Sequence, residues 1–300
     1  MSFHSGFVAI IGRPNAGKST LLNGILKQKI AITTPKAQTT RNNIRGILTD
    51  EESQIIFVDT PGIHKPQHQL GEEMVKEAWS SLSGVDLVYF MVDGTKEFGT
   101  GDRYILNTLK EKHLPVFLIV NKIDLLDKKG LLDYLSQIED TDFFKEIVPV
   151  SALKDTNVEH LIDCTRPYLT DTLQYYPTGQ VCDYPEQFIM SELIREKILY
   201  LTREEVPHSV AVVIESLKKR KDAMYIQAMV LVERDSQKGI VIGKQGKMLK
   251  EIGTLARGDL EMITGCKVYL ELFVRVEKEW RNRRSKLMQL GYIQMEIDDE

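Results

Sequence analysis

The sequence predicts an α/β domain with a doubly wound, mostly parallel sheet, followed by a small α+β domain. Three observations carry this. Short, nearly continuous apolar runs at 6–11, 54–58, 85–92, 115–120 and 146–150 alternate with amphipathic stretches, the pattern of parallel strands covered by helices on both faces. Gly12-Arg13-Pro14-Asn15-Ala16-Gly17-Lys18-Ser19 matches GxxxxGK[ST] between a strand (Phe7–Ile11) and a helix (Thr20–Lys27). The alternation then stops after a helix around Val158–Leu169, and a different order begins.

The predicted division is residues 1–173 for the first domain, 174–186 for a Pro- and Gly-containing linker and 187–300 for the second domain. In the second, Glu186–Glu205 reads as a helix, Val210–Leu217 and Met224–Arg234 as strands, and Ile240–Ile263 as helices broken by glycines. Lys267–Val276 reads as a strand and Glu279–Leu290 as a last helix. The order is α-β-β-α-α-β.

At 300 residues the chain has room for two cores. No apolar run reaches the ~18 residues of a membrane span, and MSFHSGFVAIIG lacks a basic leader. Neither a signal peptide nor a transmembrane segment is expected. Cys164, Cys182 and Cys266 form no CxxC pair, which fits reduced thiols in the cytoplasm rather than a metal site. The net charge of −4 argues weakly against nucleic acid. It is uneven, however: KGIVIGKQGKMLK and RVEKEWRNRRSK are locally basic, and the tail MEIDDE is acidic.

The first motif is a phosphate cradle. Gly12 and Gly17 let the backbone wrap a phosphate, and the N–H groups around Asn15, Ala16 and Thr20 point inward. The helix N-terminus adds partial positive charge. Lys18 neutralises β- and γ-phosphates, and the Ser19 hydroxyl suits Mg²⁺. Asp59-Thr60-Pro61-Gly62 follows a strand; Asp59 is placed to hold Mg²⁺, and the Gly62 N–H to meet a γ-phosphate. Between the two lies Gln38-Thr39-Thr40-Arg41. Thr40 is assigned to complete the Mg²⁺ shell, with Thr39 the alternative.

The second motif selects the base. Asn121-Lys122-Ile123-Asp124 follows strand Val116–Val120. An ionised Asp124 is acceptor-only, so it suits the N1–H and N2–H donors of guanine and rejects adenine. Asn121 is placed to tie this loop to the phosphate loop, and Lys122 to lay its stem across the ring. Ser151-Ala152-Leu153 follows another strand, with the Ala152 N–H aimed at O6. The expected ligands are GTP and GDP, and the expected reaction is GTP hydrolysis, with Lys18, Thr40, Gly62 and Asn15 as its catalytic set.

The order GRPNAGKS, QTTR, DTPG, NKID, SAL resembles the TrmE–Era group of translation-factor-related GTPases. Gly239-Ile240-Val241-Ile242-Gly243-Lys244-Gln245-Gly246 is similar to the VIGxxG segment of a KH domain, in the order of a type II KH fold. A GTPase domain followed by one KH domain resembles the bacterial Era family over essentially the whole chain. That resemblance implies a factor in small ribosomal subunit assembly that binds the 3′ end of small-subunit ribosomal RNA, not DNA. It also implies peripheral contact with the cell membrane, which no residue here shows. A monomer is expected.

Gly243 and Gly246 remove side chains where a backbone turn touches RNA phosphates. Lys244, Gln245, Lys247 and Lys250 are the expected backbone contacts, Ile240 and Ile242 contribute to an apolar groove for unstacked bases, and Arg281 adds charge with Arg283 and Arg284. Ras-type enzymes orient water with a glutamine just after DxxG; here that position is Ile63. Related GTPases hold K⁺ with a P-loop asparagine, which implies the same role for Asn15. Arg13 and Arg41 are candidate charge donors. Thr33–Asn43 and Gly62–Val75 are the expected switch segments.

Overall fold

In a computed structural model, the described residues are 3–34, 36, 39–138, 140–203 and 206–293. Gln38, Glu205 and the acidic tail, all used above, lie outside them. The chain divides into two compact units: Met1–Ala31, Thr40–Pro66 and Met74–Asp183 form one, and Ile32–Thr39, Gln67–Glu73 and Tyr184–Glu300 the other.

The first unit is built on a six-stranded sheet: β1 (His4–Gly12), β2 (Ile44–Thr49), β3 (Ser53–Asp59), β4 (Leu87–Asp93), β5 (Val116–Asn121) and β6 (Glu146–Val150). Their spatial order is β2-β3-β1-β4-β5-β6, and only β2 runs antiparallel. Every residue of β3 and of β5 is buried, because helices cover both sheet faces. Those helices are α1 (Lys18–Leu26), α2 (Gln69–Ser80) from Met74 onward, α3 (Thr100–Lys110), α4 (Lys128–Leu135) and α5 (Val158–Thr165). In α3, Ile105, Leu106 and Leu109 form the buried stripe that helical spacing produces. They join Phe90, Leu118 and Val120 in a continuous apolar core.

Two features depart from the sequence reading. Strand β2 falls in a stretch not predicted to be regular. Its Gly46 sits where a Cβ would approach Leu22, Leu26 and Ile30 at 2.6–3.2 Å, so a small residue lets this edge strand lie against α1. The expected linker is strapped to the first unit. The Ile47 N–H donates to Val181 O at 3.0 Å, and Gln54 exchanges two 2.9 Å hydrogen bonds with the backbone of Tyr176. Residues through Asp183 therefore belong with the sheet.

The second unit contains α6 (Glu186–Leu201), α7 (Val206–Ser209), β7 (Ala211–Arg220), β8 (Ala223–Val232), α8 (Asp235–Ile242), α9 (Lys247–Thr264), β9 (Lys267–Val276) and α10 (Arg284–Gln289). The sheet order is β7-β8-β9, with β7·β8 antiparallel and β8·β9 parallel. This is the predicted α-β-β-α-α-β order, with the short α7 added. Helices α6 and α9 bury Leu193, Ile194, Ile198, Ile252, Ala256 and Leu260 against one sheet face. Trp280 closes the end of this core fully buried, and its Nε1–H donates to Ser209 O at 2.9 Å. The segment Ile32–Thr39 packs in the same unit: the buried Arg195 donates to Thr39 O, and the Thr33 N–H donates to Glu196 at 2.9 Å.

Candidate nucleotide and RNA sites

The carboxyl ends of β1, β3, β5 and β6 bring the predicted nucleotide motifs to one edge of the first sheet, where ligands of such sheets bind. The phosphate loop leaves β1 at Gly12 and enters α1 through Asn15 (φ 65°), Ala16 and Gly17 (φ 103°). Gly17 is required on two grounds. Its φ is left-handed, and a Cβ there would lie 2.2 Å from Asn121 Nδ2. Lys18 is buried, and its ammonium donates to the carbonyls of Gly12 and Arg13 at 3.3 and 3.2 Å. Thr20 follows in the first turn of α1. Gly62 packs against Pro14, where a Cβ would come within 2.7 Å of its backbone, and the Ile63 N–H donates to Gly12 O at 3.0 Å.

Ser19, Thr40 and Asp59 converge, and Thr39 stands apart from them. Ser19 Oγ lies 2.8 Å from Thr40 Oγ1 and donates to Asp59 Oδ2 at 2.6 Å. The Thr39 hydroxyl is engaged elsewhere, donating to Lys36 O at 2.7 Å. Asp59 is fully buried, and its Oδ1 has no hydrogen-bond partner among the described residues. Burial pushes its carboxyl up to about 6, against the opposing charge of Lys18. The same burial brings Lys18 down to about 8, against the pull of Asp59. Two hydroxyls backed by a buried carboxylate with an idle oxygen form an oxygen-only donor set of the kind Mg²⁺ takes.

On the base side, the Asn121 side chain donates to Ala16 O at 2.8 Å, tying this loop to the phosphate loop as expected. Lys122 (φ 70°) reaches Asp93 at 2.6 Å, a partner the sequence reading did not name. Asp124 is exposed, and its Oδ1 accepts from Ser151 Oγ at 2.6 Å, which fixes the carboxylate orientation. The Ala152 N–H, aimed at guanine O6 in the sequence reading, donates to Asn121 Oδ1 at 3.0 Å; Leu153 beside it is exposed. Of the candidate charge donors, Arg13 pairs with Asp102 at 3.0 Å, and Arg41 is buried.

In the second unit, α8 ends at Gly243 (φ 72°), and a tight turn through Lys244, Gln245 (φ 54°) and Gly246 (φ 75°) leads into α9. A Cβ at Gly243 would meet the Met248 backbone at 2.9 Å. Lys244, Gln245, Lys247 and Lys250 are exposed around the turn. Beside it runs a groove of about 410 Å³ between α9 and β9, lined by Leu249, Gly253, Arg257, Leu270 and Leu272 together with Lys250. Ile240 and Ile242 lie at the end of α8, before the turn, and are not among the residues that line this groove. Its residues were legible as the i, i+4, i+8 stripe of α9 and one alternation phase of β9. Arg281 already has partners within the fold. Its guanidinium pairs with Glu233 at 2.6 Å and donates to His208 O at 3.2 Å, and Arg283 pairs with Glu277 at 3.0 Å. In this basic stretch Arg281 and Arg283 are thus each paired with a glutamate of the same unit.

Comparison with known proteins agrees with this geometry. A family model described as 50S ribosome-binding GTPase matches residues 7–122, and a KH domain model matches residues 205–281. A solved structure of Era in complex with MgGDPNP and nucleotides 1506–1542 of 16S ribosomal RNA is 41% identical, with a TM-score of 0.93, over 97% of this chain and 99% of that one. The chain belongs to the Era family. A variant of Aquifex aeolicus Era bound to GDP·AlF4⁻ is 40% identical with the same TM-score and coverage. The first unit is thus a P-loop GTPase domain and the second carries a KH domain.

Two predictions follow from the site. Asp124→Asn converts an acceptor into a group that also donates, so GTP affinity falls by about 100-fold and xanthine nucleotides gain, in nucleotide titrations; an unchanged guanine preference refutes the base-side assignment. Asp59 has a folded pKa above its unfolded one, so the stability of the nucleotide-free protein falls as pH rises from about 4 through about 6. Asp59→Asn removes that slope in thermal scans at pH 4 to 7, while Mg²⁺-dependent GTP binding weakens.

Proposed function

We propose that this protein is a Mg²⁺-dependent GTPase switch that binds the 3′ end of small-subunit ribosomal RNA and acts in small ribosomal subunit assembly in the cytoplasm. The observation that carries this reading is the 41% identity, over nearly the full length of both chains, to an Era structure holding MgGDPNP and nucleotides of 16S ribosomal RNA. The residue-level geometry supports it from both units.

In the GTPase unit, Gly12, Asn15, Ala16, Gly17, Lys18 and Thr20 cradle the phosphates, and Asn121, Lys122, Asp124, Ser151, Ala152 and Leu153 hold the base. The Ser19 and Thr40 hydroxyls would hold Mg²⁺, with Asp59 behind Ser19. When bound, the ion would neutralise β- and γ-phosphate oxygens as charge develops. Release of the Ala152 N–H from Asn121 would free it for guanine O6. Asn15 is the proposed K⁺ contact; its left-handed backbone bends the loop at that point.

In the KH unit, backbone around Gly243 and Gly246 takes RNA phosphates, Lys244, Gln245, Lys247 and Lys250 add contacts, and the α9–β9 groove takes bases. The proposed switch segment contributes residues 32–39 to the second unit and runs on directly into Thr40. The chemistry at the γ-phosphate thus adjoins, in sequence, a segment folded with the RNA-binding unit. Peripheral membrane contact remains an implication of the family alone; no helix among the described residues is long and apolar enough to cross a membrane.

The decisive measurement is affinity for a 3′-end RNA fragment with a non-hydrolysable GTP analogue and with GDP, at fixed salt. Tighter binding with the analogue is expected, and equal binding in both states refutes the switch. The Lys244→Ala/Lys247→Ala double variant is expected to reduce the slope of log affinity against log salt by about 1.4, two phosphates at ~0.7 each. Turnover in potassium buffer should exceed that in sodium buffer; equal rates count against the Asn15 role.

A further inference from the structure

The KH sheet has a second face, opposite α6 and α9, and its β7–β8 end carries a constellation that the functions above do not use. Along β9 the side chains alternate. Leu270 and Leu272 line the α9–β9 groove, while Tyr269 and Glu271 line a separate hollow of about 260 Å³ on the other face. Tyr269 stacks on Tyr225 of β8, with centroids 4.7 Å apart and planes 10° from parallel. The Arg220 guanidinium lies 5.5 Å from the Tyr225 centroid, and the Lys267 ammonium 5.3 Å from that of Tyr269. Both tyrosines are about two-fifths exposed.

The charge here, like that of the lysines around the GxxG turn, is not taken up by ion pairs among the described residues. Lys218-Lys219-Arg220-Lys221 form the hairpin arm, and among the described residues no ion pair engages any of them. Arg275, Arg281 and Arg283, by contrast, are each matched to a glutamate. Gln227 donates to Glu271 at 2.8 Å, which sets an exposed amide and an exposed carboxylate beside the tyrosines in the lining of the hollow, where both can meet base edges. Aromatic and guanidinium planes for stacking, uncompensated cations beside them and polar edge-readers below form the combination that holds unpaired nucleotides.

We propose that this face is a second RNA-binding surface, which takes unpaired nucleotides flanking those held in the α9–β9 groove. It rests on the RNA-binding reading above and extends it. The connection is geometric: β9 is the outer strand of the sheet and borders both sites, so a strand leaving the groove need only pass round one sheet edge to reach Tyr269. The hairpin lysines and Arg220 then meet its phosphates. An acidic protein surface would satisfy the cations but leave the stacked rings unused.

The test uses the full chain loaded with a non-hydrolysable GTP analogue and two RNA probes. One is a single strand of about six nucleotides, slightly more than the four a GxxG turn clamps. The other carries the same core within about 20 unpaired nucleotides, long enough to leave the groove. Two variants are compared with the parent, Y225V/Y269V, which keeps strand-forming residues, and K218A/R220A. Both should retain GTP hydrolysis and thermal midpoint. Each is expected to lose about tenfold in affinity for the long probe and to bind the short one like the parent. For K218A/R220A the salt slope on the long probe should also fall by about 1.4. Undiminished long-probe affinity overturns the proposal, as does equal loss on both probes, which reports general damage. If the parent binds neither probe, the RNA-binding reading itself falls and takes this one with it.

Discussion

The nucleotide site depends on one side-chain amide. Asn121 stands at the end of the fully buried β5 and reaches three loops from one position. Its nitrogen donates to Ala16 O in the phosphate loop, its oxygen accepts from the Ala152 N–H, and its own backbone opens the loop that carries Asp124. The phosphate loop, the NKID loop and the loop of Ala152 are therefore tied to one another through a single side chain. Gly17 is the counterpart of this arrangement. The phosphate loop passes so close to Asn121 that any side chain at position 17 would occupy the amide's place. The sheet beneath fixes the geometry: β3 and β5 are buried throughout, and β1, β3, β4 and β5 are joined by continuous parallel pairing, so their ends cannot shift independently.

Most of this was legible in the sequence because each motif couples residue chemistry to a strand end. Short apolar runs gave the five parallel strands, and the glycine spacing marked the turn. What escaped was set by tertiary contact. Strand β2 carries Arg45 and Gly46 and has no continuous apolar run, yet β3 supplies its pairing and Gly46 its closeness to α1. The linker composition correctly suggested irregular structure. It gave no sign that Gln54 would hold Tyr176 by both backbone groups. The choice of Thr40 over Thr39 depended on which hydroxyl faces Ser19, and two adjacent threonines are identical to any pattern.

In the KH unit, a basic run shows its charge in the sequence but not the partners that hold it. Arg281 sits in the most basic stretch of the chain, but Glu233 and the His208 carbonyl enclose it. The lysines around the GxxG turn remain exposed, and so do those of the β7–β8 hairpin. Charge pairing thus sorts the cations into those that stabilise the fold and those presented to a partner. The apolar groove followed the same logic. Ile240 and Ile242 precede the turn and belong to α8, whereas the groove is made by elements that follow it, α9 and β9.

The position after DTPG exposes a constraint on catalysis. Ile63 is buried in the apolar core shared with Phe90, Phe98 and Val120, and its N–H is committed to Gly12 O. A glutamine there would bury an amide among apolar groups, at a cost of about 1–3 kcal/mol unless new partners formed. Ile63 therefore serves the core and the phosphate loop, and the water-orienting role it vacates cannot be restored by side-chain chemistry at this site alone. His64, the next residue, brings its Nδ1 to Gly62 O at 2.8 Å, which holds the ring against its own loop. The fold places the phosphate loop and the base-side loop internally, through Asn121 and the Ile63 N–H, while the apolar Ile63 side chain has no polar group with which to orient a water.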